Sequence, residues 1–216
     1  MKISSKRNKL ILSILLLASS LAPVAQAASI FINNHSFESP SVGNGSFTGA
    51  VPGWTITGGV AGAFNPATPT HFSGIGATDG VQNGYANAGA TLSQTLTALF
   101  AADTQYTLTV DVGDRRDLVF PTYFIELFAG STLLVQDNSS LTPNDGFLTS
   151  TLTYLSPASH PELGQPLQIR LRSTGSGIQQ VNFDNVRLDA VPEPSSLAML
   201  AVGAMAFCNF RRRITI

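Results

Sequence analysis

The sequence predicts an all-β fold, an antiparallel two-sheet sandwich, from three observations. Apolar and polar residues alternate in short segments, most clearly at residues 107–112 and 167–172, as expected of strands with one buried face. Clusters of Gly, Pro, Asn, Asp and Ser separate such segments and supply turn geometry. No segment between the chain ends has the period of a long amphipathic helix. About eight short strands favour a sandwich, with jelly-roll connectivity as the leading version.

The individual strands are predicted from the same alternation. In chain order they cover residues 30–33, 91–96, 107–112, 123–128, 132–136, 147–154, 167–172 and 181–188. In the segment 167–172, the polar side chains of Gln168, Arg170 and Arg172 occupy the solvent face. The glycine-rich residues 43–89 are predicted to form long loops that cross one end of the sandwich.

The last predicted strand contains a change of phase. Its apolar residues stand at odd positions up to Phe183 and at even positions from Val186. Because a one-residue slip turns side chains to the opposite face, a β-bulge at Asp184 and Asn185 is the simplest repair. The bulge re-aims a carboxylate and an amide, and such oxygen groups suit a hard cation such as Ca²⁺.

The N-terminus has the pattern of a secretory signal. Four basic residues within the first nine precede the apolar residues 10–17, and small residues stand at Ala25 and Ala27. This order predicts a signal peptide over residues 1–27, which a signal peptidase removes. Residues 28–190 then fold outside the cytoplasm as one domain.

The C-terminal residues 191–216 form a separate segment. An apolar stretch at residues 195–210 would span about 24 Å as a helix, slightly less than the hydrocarbon core of a membrane. The arginines at 211–213 make up the difference by snorkelling and favour a cytoplasmic C-terminus. We therefore expect a short transmembrane helix that anchors the exported domain to the membrane.

The charge of the exported domain excludes one class of partner. Residues 28–190 contain twelve acidic residues against five arginines, which leaves a net charge of −7, and they contain no lysine. Nucleic-acid binding lacks the cations that would neutralise phosphates. The only cysteine, Cys208, lies in the predicted membrane span, so no disulfide is expected in the domain.

The tail resembles the PEP-CTERM sorting signal of Gram-negative bacteria. Its motif residues are Pro192, Glu193 and Pro194, and the cationic cluster after the apolar stretch consists of Arg211, Arg212 and Arg213. The resemblance implies that a membrane-embedded exosortase recognises the motif, cleaves there, and passes the domain to the cell surface or the exopolysaccharide matrix. The alternative is an ordinary stop-transfer anchor after a proline-rich linker.

Three short motifs of the domain resemble galactose-binding-like and related carbohydrate-binding β-sandwich modules. They are the segments 33–38, 51–54 and 183–186, which read NNHSFE, VPGW and FDNV. The resemblance implies a structural Ca²⁺ where the first and last strands meet, with Glu38 and Asp184 as ligands. The alternative is a surface Glu and a strand-end Asp that bind turn amides.

Aromatic side chains are the expected sugar-binding groups, because an exposed ring stacks on a pyranose face. The candidates are Trp54, Tyr85 and Tyr123. Trp54 is also a candidate for a core position. The charged residues 114–117 would either line a binding cleft or form a solvated loop that neutralises itself.

Three function classes remain open at this level. The leading expectation is an exported, non-catalytic surface or matrix protein that binds a saccharide, such as an exopolysaccharide. A structural matrix protein without a defined ligand is the second. A glycan hydrolase is the third, with carboxylates such as Asp111, Asp114 and Glu126. Because the sequence has no zinc-protease motif, nucleophile elbow or phosphate loop, we expect no enzyme.

Overall fold

The computed structural model describes residues 26–193, and this part of the chain contains twelve β-strands joined by loops. They are β1 (Ala28–Ile30), β2 (Phe47–Thr48), β3 (Thr55–Thr57), β4 (Ala61–Phe64), β5 (Asn83–Asn87), β6 (Thr91–Leu99), β7 (Thr104–Gly113), β8 (Tyr123–Ala129), β9 (Thr132–Asn138), β10 (Phe147–Leu155), β11 (Pro166–Ser173) and β12 (Gln180–Pro192). No helix occurs within these residues. The all-β prediction is confirmed.

The strands form two antiparallel sheets. Sheet A has seven strands in the order β10-β7-β12-β5-β4-β2, with β1 paired to the end of β12. Sheet B has five strands in the order β3-β6-β11-β8-β9. The predicted two-sheet sandwich is therefore confirmed.

The core lies between the two sheets and follows the predicted alternation. In β7 of sheet A, Leu108 and Val110 are fully buried. In β11 of sheet B, Ile169 and Leu171 are fully buried, while the arginines between and beyond them remain half-buried on the outer face. Side chains of both inner faces pack into one cluster, as in other β-sandwiches.

The prediction of long loops at residues 43–89 is wrong in part, because four strands lie there. β2, β3, β4 and β5 are short, and two of them carry glycines where a side chain would not fit. A methyl group on Gly62 would meet the Thr48 carbonyl oxygen, and one on Gly84 would meet the Phe37 ring. Neighbouring groups approach so closely that only glycine fits at these positions. Because glycine has no side chain, these strands lack the apolar–polar alternation by which a strand is recognised in the sequence.

The predicted bulge is confirmed. The pairing of β12 with β7 shifts register between Asp184 and Arg187. Asn185 has a φ of 53°, a left-handed conformation that Asn tolerates better than most residues. The bulge lets Phe183 and Val186 both face the core.

The predicted signal peptide and the predicted membrane helix at 195–210 lie outside the described residues, apart from Gln26 and Ala27. Within residues 26–193, no helix is long and apolar enough to cross a membrane.

Candidate functional site

The outer face of sheet A, called face A here, is partly covered by loops. It consists of the side chains of β4, β5, β7, β10 and β12 that point away from the core. The loops after β4 and β7 bind each other over it, since the Arg116 amide donates to the His71 carbonyl. A second hydrophobic cluster forms beneath them, and its members are Phe64, Phe72, Tyr85 and Phe147.

Face A contains a cavity of about 270 Å³. Its walls are mostly apolar and come from Phe47, Val60, Phe64 and Tyr85. Its polar end is formed by Asn87, Arg115 and Gln180. These residues belong to four different strands and two loops, so only the folded sheet brings them together.

The polar end of the cavity is a fixed chain of hydrogen bonds. Nη1 of Arg115 donates to Oε1 of Gln180 at 2.9 Å, and Nε2 of Gln180 donates to Oδ1 of Asn87 at 2.8 Å. The Arg115 guanidinium lies 4.5 Å from the centre of the Phe64 ring and also binds Asp117. Burial opposes ionisation of Asp117, yet Arg115 outweighs it and lowers the pKa of that carboxyl. These contacts hold the Arg115 guanidinium in place.

Tyr85 is the polar group of the apolar wall. Its ring meets Phe47 edge-on at 6.2 Å, and only 3% of the residue is exposed. Burial raises the pKa of the Tyr85 hydroxyl, so the phenol stays neutral at physiological pH. Among the hydrogen bonds within residues 26–193, none uses this hydroxyl. It is a donor available to a bound molecule.

A row of buried polar side chains continues along face A from the cavity. Asn182 lies opposite Tyr85 in the strand pairing, and its Nδ2 donates to Oδ1 of Asn83 at 2.7 Å. The Asn182 Oδ1 atom is buried and has no hydrogen-bond partner in the described part of the chain. Such an atom is costly, by about 1–3 kcal/mol. Beyond it, Asp111 accepts hydrogen bonds from Thr149 and Asn185.

Asp184 ends this row and is fully buried. Its Oδ2 atom accepts hydrogen bonds from the backbone amides of Thr78 and Asp79, at 2.6 and 3.0 Å. Burial raises the pKa of Asp184 to about 7, even though these amides favour the ionised form. Oε1 of Glu38 accepts from the amides of Val81 and Gln82 at 2.8 and 2.6 Å.

The structure therefore brings both predicted calcium ligands to one loop, residues 78–82. Glu38 and Asp184 bind amides of that loop, which is the arrangement that the sequence left open as the alternative to a metal. Within residues 26–193, no group of three or more His, Cys, Asp or Glu side chains has metal-binding geometry. Calcium binding by Glu38 and Asp184 stays a prediction.

The predicted sugar-binding rings are buried. Trp54 stacks on Phe37 at 5.3 Å, and its indole NH donates to the Asn34 carbonyl oxygen. Tyr123 is fully buried in the core, and its hydroxyl donates a hydrogen bond to Oδ2 of Asp137. For Tyr85 and Tyr123 the expectation of an exposed ring is wrong, because strands and loops cover them, whereas for Trp54 the structure bears out the core alternative. Of the three, Tyr85 alone lines the face-A cavity. Sugar binding by these residues stays a prediction.

Two of the carboxylates considered for hydrolysis, Asp111 and Glu126, are not brought together. Asp111 lies on face A, in β7, whereas Glu126 lies on the outer face of sheet B, in β8. The core separates them. In the sorting motif, Pro192 and Glu193 are exposed at the end of β12, while Pro194 and Arg211, Arg212 and Arg213 lie outside the described residues.

Sequence reasoning missed most of the residues that line the cavity. Phe47 and Phe64 lie in the glycine-rich region, where no alternation marks the strands, and Asn87 and Gln180 are common polar residues. For residues 114–117 both alternatives have support, because Arg115 lines the cavity and also forms an ion pair with Asp117 of the same loop.

Comparison with known proteins identifies the family. A family model described as HpiC1-like, HpiC1 cyclase, matches residues 28–189, which is more than half of the chain. The chain belongs to the HpiC1-like cyclase family. A second model, the PEP-CTERM protein-sorting motif, matches residues 190–213. It confirms the resemblance of the tail and indicates an exported protein.

Solved structures agree with this assignment. The chain is similar to the Stig cyclase Fisc from Fischerella sp. TAU in complex with (3Z)-3-(1-methyl-2-pyrrolidinylidene)-3H-indole, at 32% identity and a TM-score of 0.70, over 78% of this chain and 100% of that one. It is also similar to a cyclase from the same source in complex with 4-(1H-indol-3-yl)butan-2-one, at 32% identity and a TM-score of 0.69, over 77% and 98%. A search of the curated proteins finds no match.

The carbohydrate-binding resemblance holds for the fold. TmCBM61 in complex with β-1,4-galactotriose has a TM-score of 0.51 at 14% identity, over 74% of this chain and 98% of that one. The prediction that the domain is not an enzyme is wrong, because the family model and the similar structures are those of cyclases. Catalytic nucleophiles and metal sites leave short sequence motifs, whereas a cavity lined by aromatic residues from distant segments leaves none.

Proposed function

We propose that the domain is an exported cyclase that closes a ring in a compact, largely apolar, unsaturated substrate bound in the face-A cavity. The lining of that cavity carries the proposal. Phe47, Phe64 and Tyr85 form an aromatic wall, and the amides of Asn87 and Gln180 form a polar end. A volume of about 270 Å³ is near the lower end of the range for small-molecule sites.

The proposed reaction is an isomerising ring closure. One carbon–carbon π bond is consumed and one carbon–carbon σ bond forms, so no oxidant or reductant is needed. The protein contributes by folding the substrate so that its reacting carbons meet. Aromatic faces stabilise positive charge that develops on the substrate. The neutral Tyr85 hydroxyl donates a hydrogen bond to any atom that gains negative charge.

The substrate class is proposed from the cavity and from the relatives together. The two similar cyclase structures contain indole compounds. A planar indole fits a cavity whose walls are rings, and its NH finds the amide oxygens at the polar end. We therefore propose an aromatic substrate of indole type that carries an unsaturated side chain.

The probe 4-(1H-indol-3-yl)butan-2-one tests this site. We expect saturable binding to the purified full-length protein, measured by calorimetry. Tyr85→Ala and Phe64→Ala should each weaken it about tenfold, because each removes an aromatic contact. Phe31→Ala is the matched control, since Phe31 is 77% exposed and lies outside the cavity. Absence of saturable binding, or equal loss in the control, would contradict the proposal.

A turnover assay complements the binding assay. Unsaturated indole substrates are incubated with the protein and analysed by liquid chromatography and mass spectrometry. We expect a product of unchanged mass with a new retention time, and its loss in Tyr85→Ala. A mass change would indicate a different reaction.

We also propose the processing that the sorting motif implies. An exosortase cleaves at Pro192, Glu193 and Pro194 after transient anchoring in the inner membrane, and the domain passes to the cell surface or extracellular matrix. The exposure of Pro192 and Glu193 supports access for the processing enzyme. An intact-mass measurement on the mature protein should place the C-terminus near residue 194, and a tail ending at Ile216 would contradict it.

Saccharide binding is a second candidate function, favoured by an observation on sheet B. Its outer face carries an open groove lined by hydroxyl, amide and guanidinium groups. Such groups bind sugar hydroxyls. The alternative is a matrix role without a defined ligand, in which polysaccharide binding is weak and no single sugar competes.

A further inference from the structure

The outer face of sheet B, called face B here, carries a groove of about 450 Å³. One side of the groove is lined by the hydroxyl groups of Thr57, Thr91 and Ser93. The other side is lined by Gln168 and Arg170 of β11. The strand pairing places Ser93 directly opposite Arg170, so hydroxyl and guanidinium groups face the same space.

The two arginines of the groove are stacked on aromatic rings. The guanidinium carbon of Arg170 lies 3.9 Å from the centre of the Phe128 ring, and that of Arg172 lies 3.9 Å from the centre of the Phe124 ring. Nε of Arg170 also donates to Oε1 of Gln168 at 2.6 Å. These contacts fix the planar groups before a ligand arrives.

Only one of the two cations is balanced by an acid. Nε and Nη2 of Arg172 donate to the two carboxylate oxygens of Glu126, each at 3.1 Å. Arg170 forms no ion pair with any acid in residues 26–193. The groove therefore offers one uncompensated guanidinium among hydroxyl and amide groups.

We infer that this groove binds an acidic saccharide, with the carboxylate of a uronic acid residue on Arg170 and the sugar hydroxyls on Thr57, Thr91, Ser93 and Gln168. A guanidinium with two free NH₂ groups matches a carboxylate in a bidentate pair. A phosphate dianion fits less well, because Arg170, Arg172 and Glu126 together leave one net positive charge in the groove, which balances a single carboxylate and not a dianion. This inference names the ligand class for the proposed saccharide binding and rests on it.

Trigalacturonate tests the inference, with neutral galactotriose of the same linkage as the matched sugar that lacks the carboxylates. Binding to the full-length protein is measured by calorimetry. We expect trigalacturonate to bind at least about tenfold more tightly than galactotriose, since a charge-assisted hydrogen bond is lost in the neutral sugar. Arg170→Gln should remove this preference, and Arg170→Lys should restore only part of it, because an ammonium lacks the planar fork.

The control variant is Arg187→Gln, which removes the same charge from an exposed position of β12. It should change trigalacturonate binding less than about twofold, because its charge lies far from the groove and is screened. A melting curve confirms that each variant folds, and Thr91→Val provides a second variant that removes one hydroxyl without altering charge.

The outcomes distinguish the inference that the groove binds a uronic acid from the broader proposal that it binds a saccharide. Equal binding of the neutral and acidic trisaccharides would overturn the uronate assignment but keep saccharide binding. Equal binding of polyglutamate would reduce the interaction to charge and overturn the inference. Absence of binding by both sugars would overturn the inference and the saccharide function together.

Discussion

Faces A and B are the two outer surfaces of one sandwich, and they differ in what covers them. Both are built from the polar positions of alternating strands. On face B, Arg170 and Arg172 remain half-buried beside an open groove. On face A, Asn182 and Asp184 are completely buried under loops. The same strand pattern thus gives a solvent surface where no loop folds over it, and buried polar groups where loops do.

The difference has an energetic consequence. Burying a polar group costs free energy unless it forms hydrogen bonds, so face A requires partners for nearly every polar atom it hides. Thr149 and Asn185 supply them for Asp111, whereas the Asn182 oxygen has none in the described part of the chain. Face A therefore contains a buried polar atom that lowers the stability of the fold, which is typical of a functional site, whereas the polar side chains of the open groove on face B are accessible to water.

Calcium should give one of the two largest effects, and its predicted ligand Asp184 lies on face A. If Glu38 and Asp184 bind Ca²⁺, a micromolar site in millimolar calcium raises the free energy of unfolding by about 4 kcal/mol. Thermal melting in calcium and in chelator measures this. Glu38→Gln should abolish the increment and Glu162→Gln should keep it; an unchanged midpoint in the native protein would remove the calcium prediction.

The pH dependence of stability tests the burial of Asp184. Its pKa of about 7 lies above the unfolded value of 3.8. Below pH 4 both states hold the proton; between pH 4 and 7 only the folded state does, so the free energy of unfolding falls as the pH rises, by about 4 kcal/mol. Above pH 7 the loss is complete.

The Asp184→Asn variant isolates this contribution. With chelator present, denaturant melts at several pH values should show the loss in the native protein and not in the variant, because Asn does not titrate. Parallel pH profiles for the two proteins would show that Asp184 ionises normally in the folded state.

Gly62→Ala tests the close packing beneath the cavity. The added methyl group meets the Thr48 carbonyl oxygen and the Tyr85 ring, so we expect a loss of about 2 kcal/mol in the free energy of unfolding. Gly74→Ala is the matched control, because nothing lies within 4 Å of a methyl group there. Denaturant unfolding measures both, and similar stabilities would mean that face A is loosely packed.

Arg170→Gln should have the smallest effect on stability. The side chain has no acidic partner among the described residues and lies on the open face, so only its contacts with Phe128 and Gln168 are lost, and the free energy of unfolding should fall by less than about 1 kcal/mol. The same denaturant unfolding measures it. A loss comparable to that of Gly62→Ala would mean that face B is structural rather than a free binding surface.

The sequence predicted the fold well because local alternation reports which side chains face the core. Strands β7 and β11 and the bulge at Asp184 follow directly from that pattern. It failed for β4 and β5, whose small residues pack against neighbours and show no alternation. Whether a small residue packs closely depends on the neighbouring strand, so it cannot be predicted from the sequence of one strand alone.

Most residues of the candidate site could not be predicted from the sequence, for a related reason. The cavity joins Phe47, Phe64, Arg115 and Gln180 from distant segments, and their meeting depends on sheet order. The sequence predicts that the Tyr85 ring is exposed and binds a sugar, but in the structure the ring is buried and forms part of the apolar wall of the cavity. The residue type of Tyr85 indicated an aromatic binding group, but only the folded structure shows which side chains surround it.

The central claim is that the face-A cavity is the substrate site, and a chemical-shift titration of the full-length protein with 4-(1H-indol-3-yl)butan-2-one tests it most directly. We expect saturable shifts of the amides of Phe64, Tyr85, Asn87 and Gln180, with those of Gln168 and Arg170 on face B unchanged. Shifts confined to face B, or no saturable shift at the cavity residues, would contradict the account.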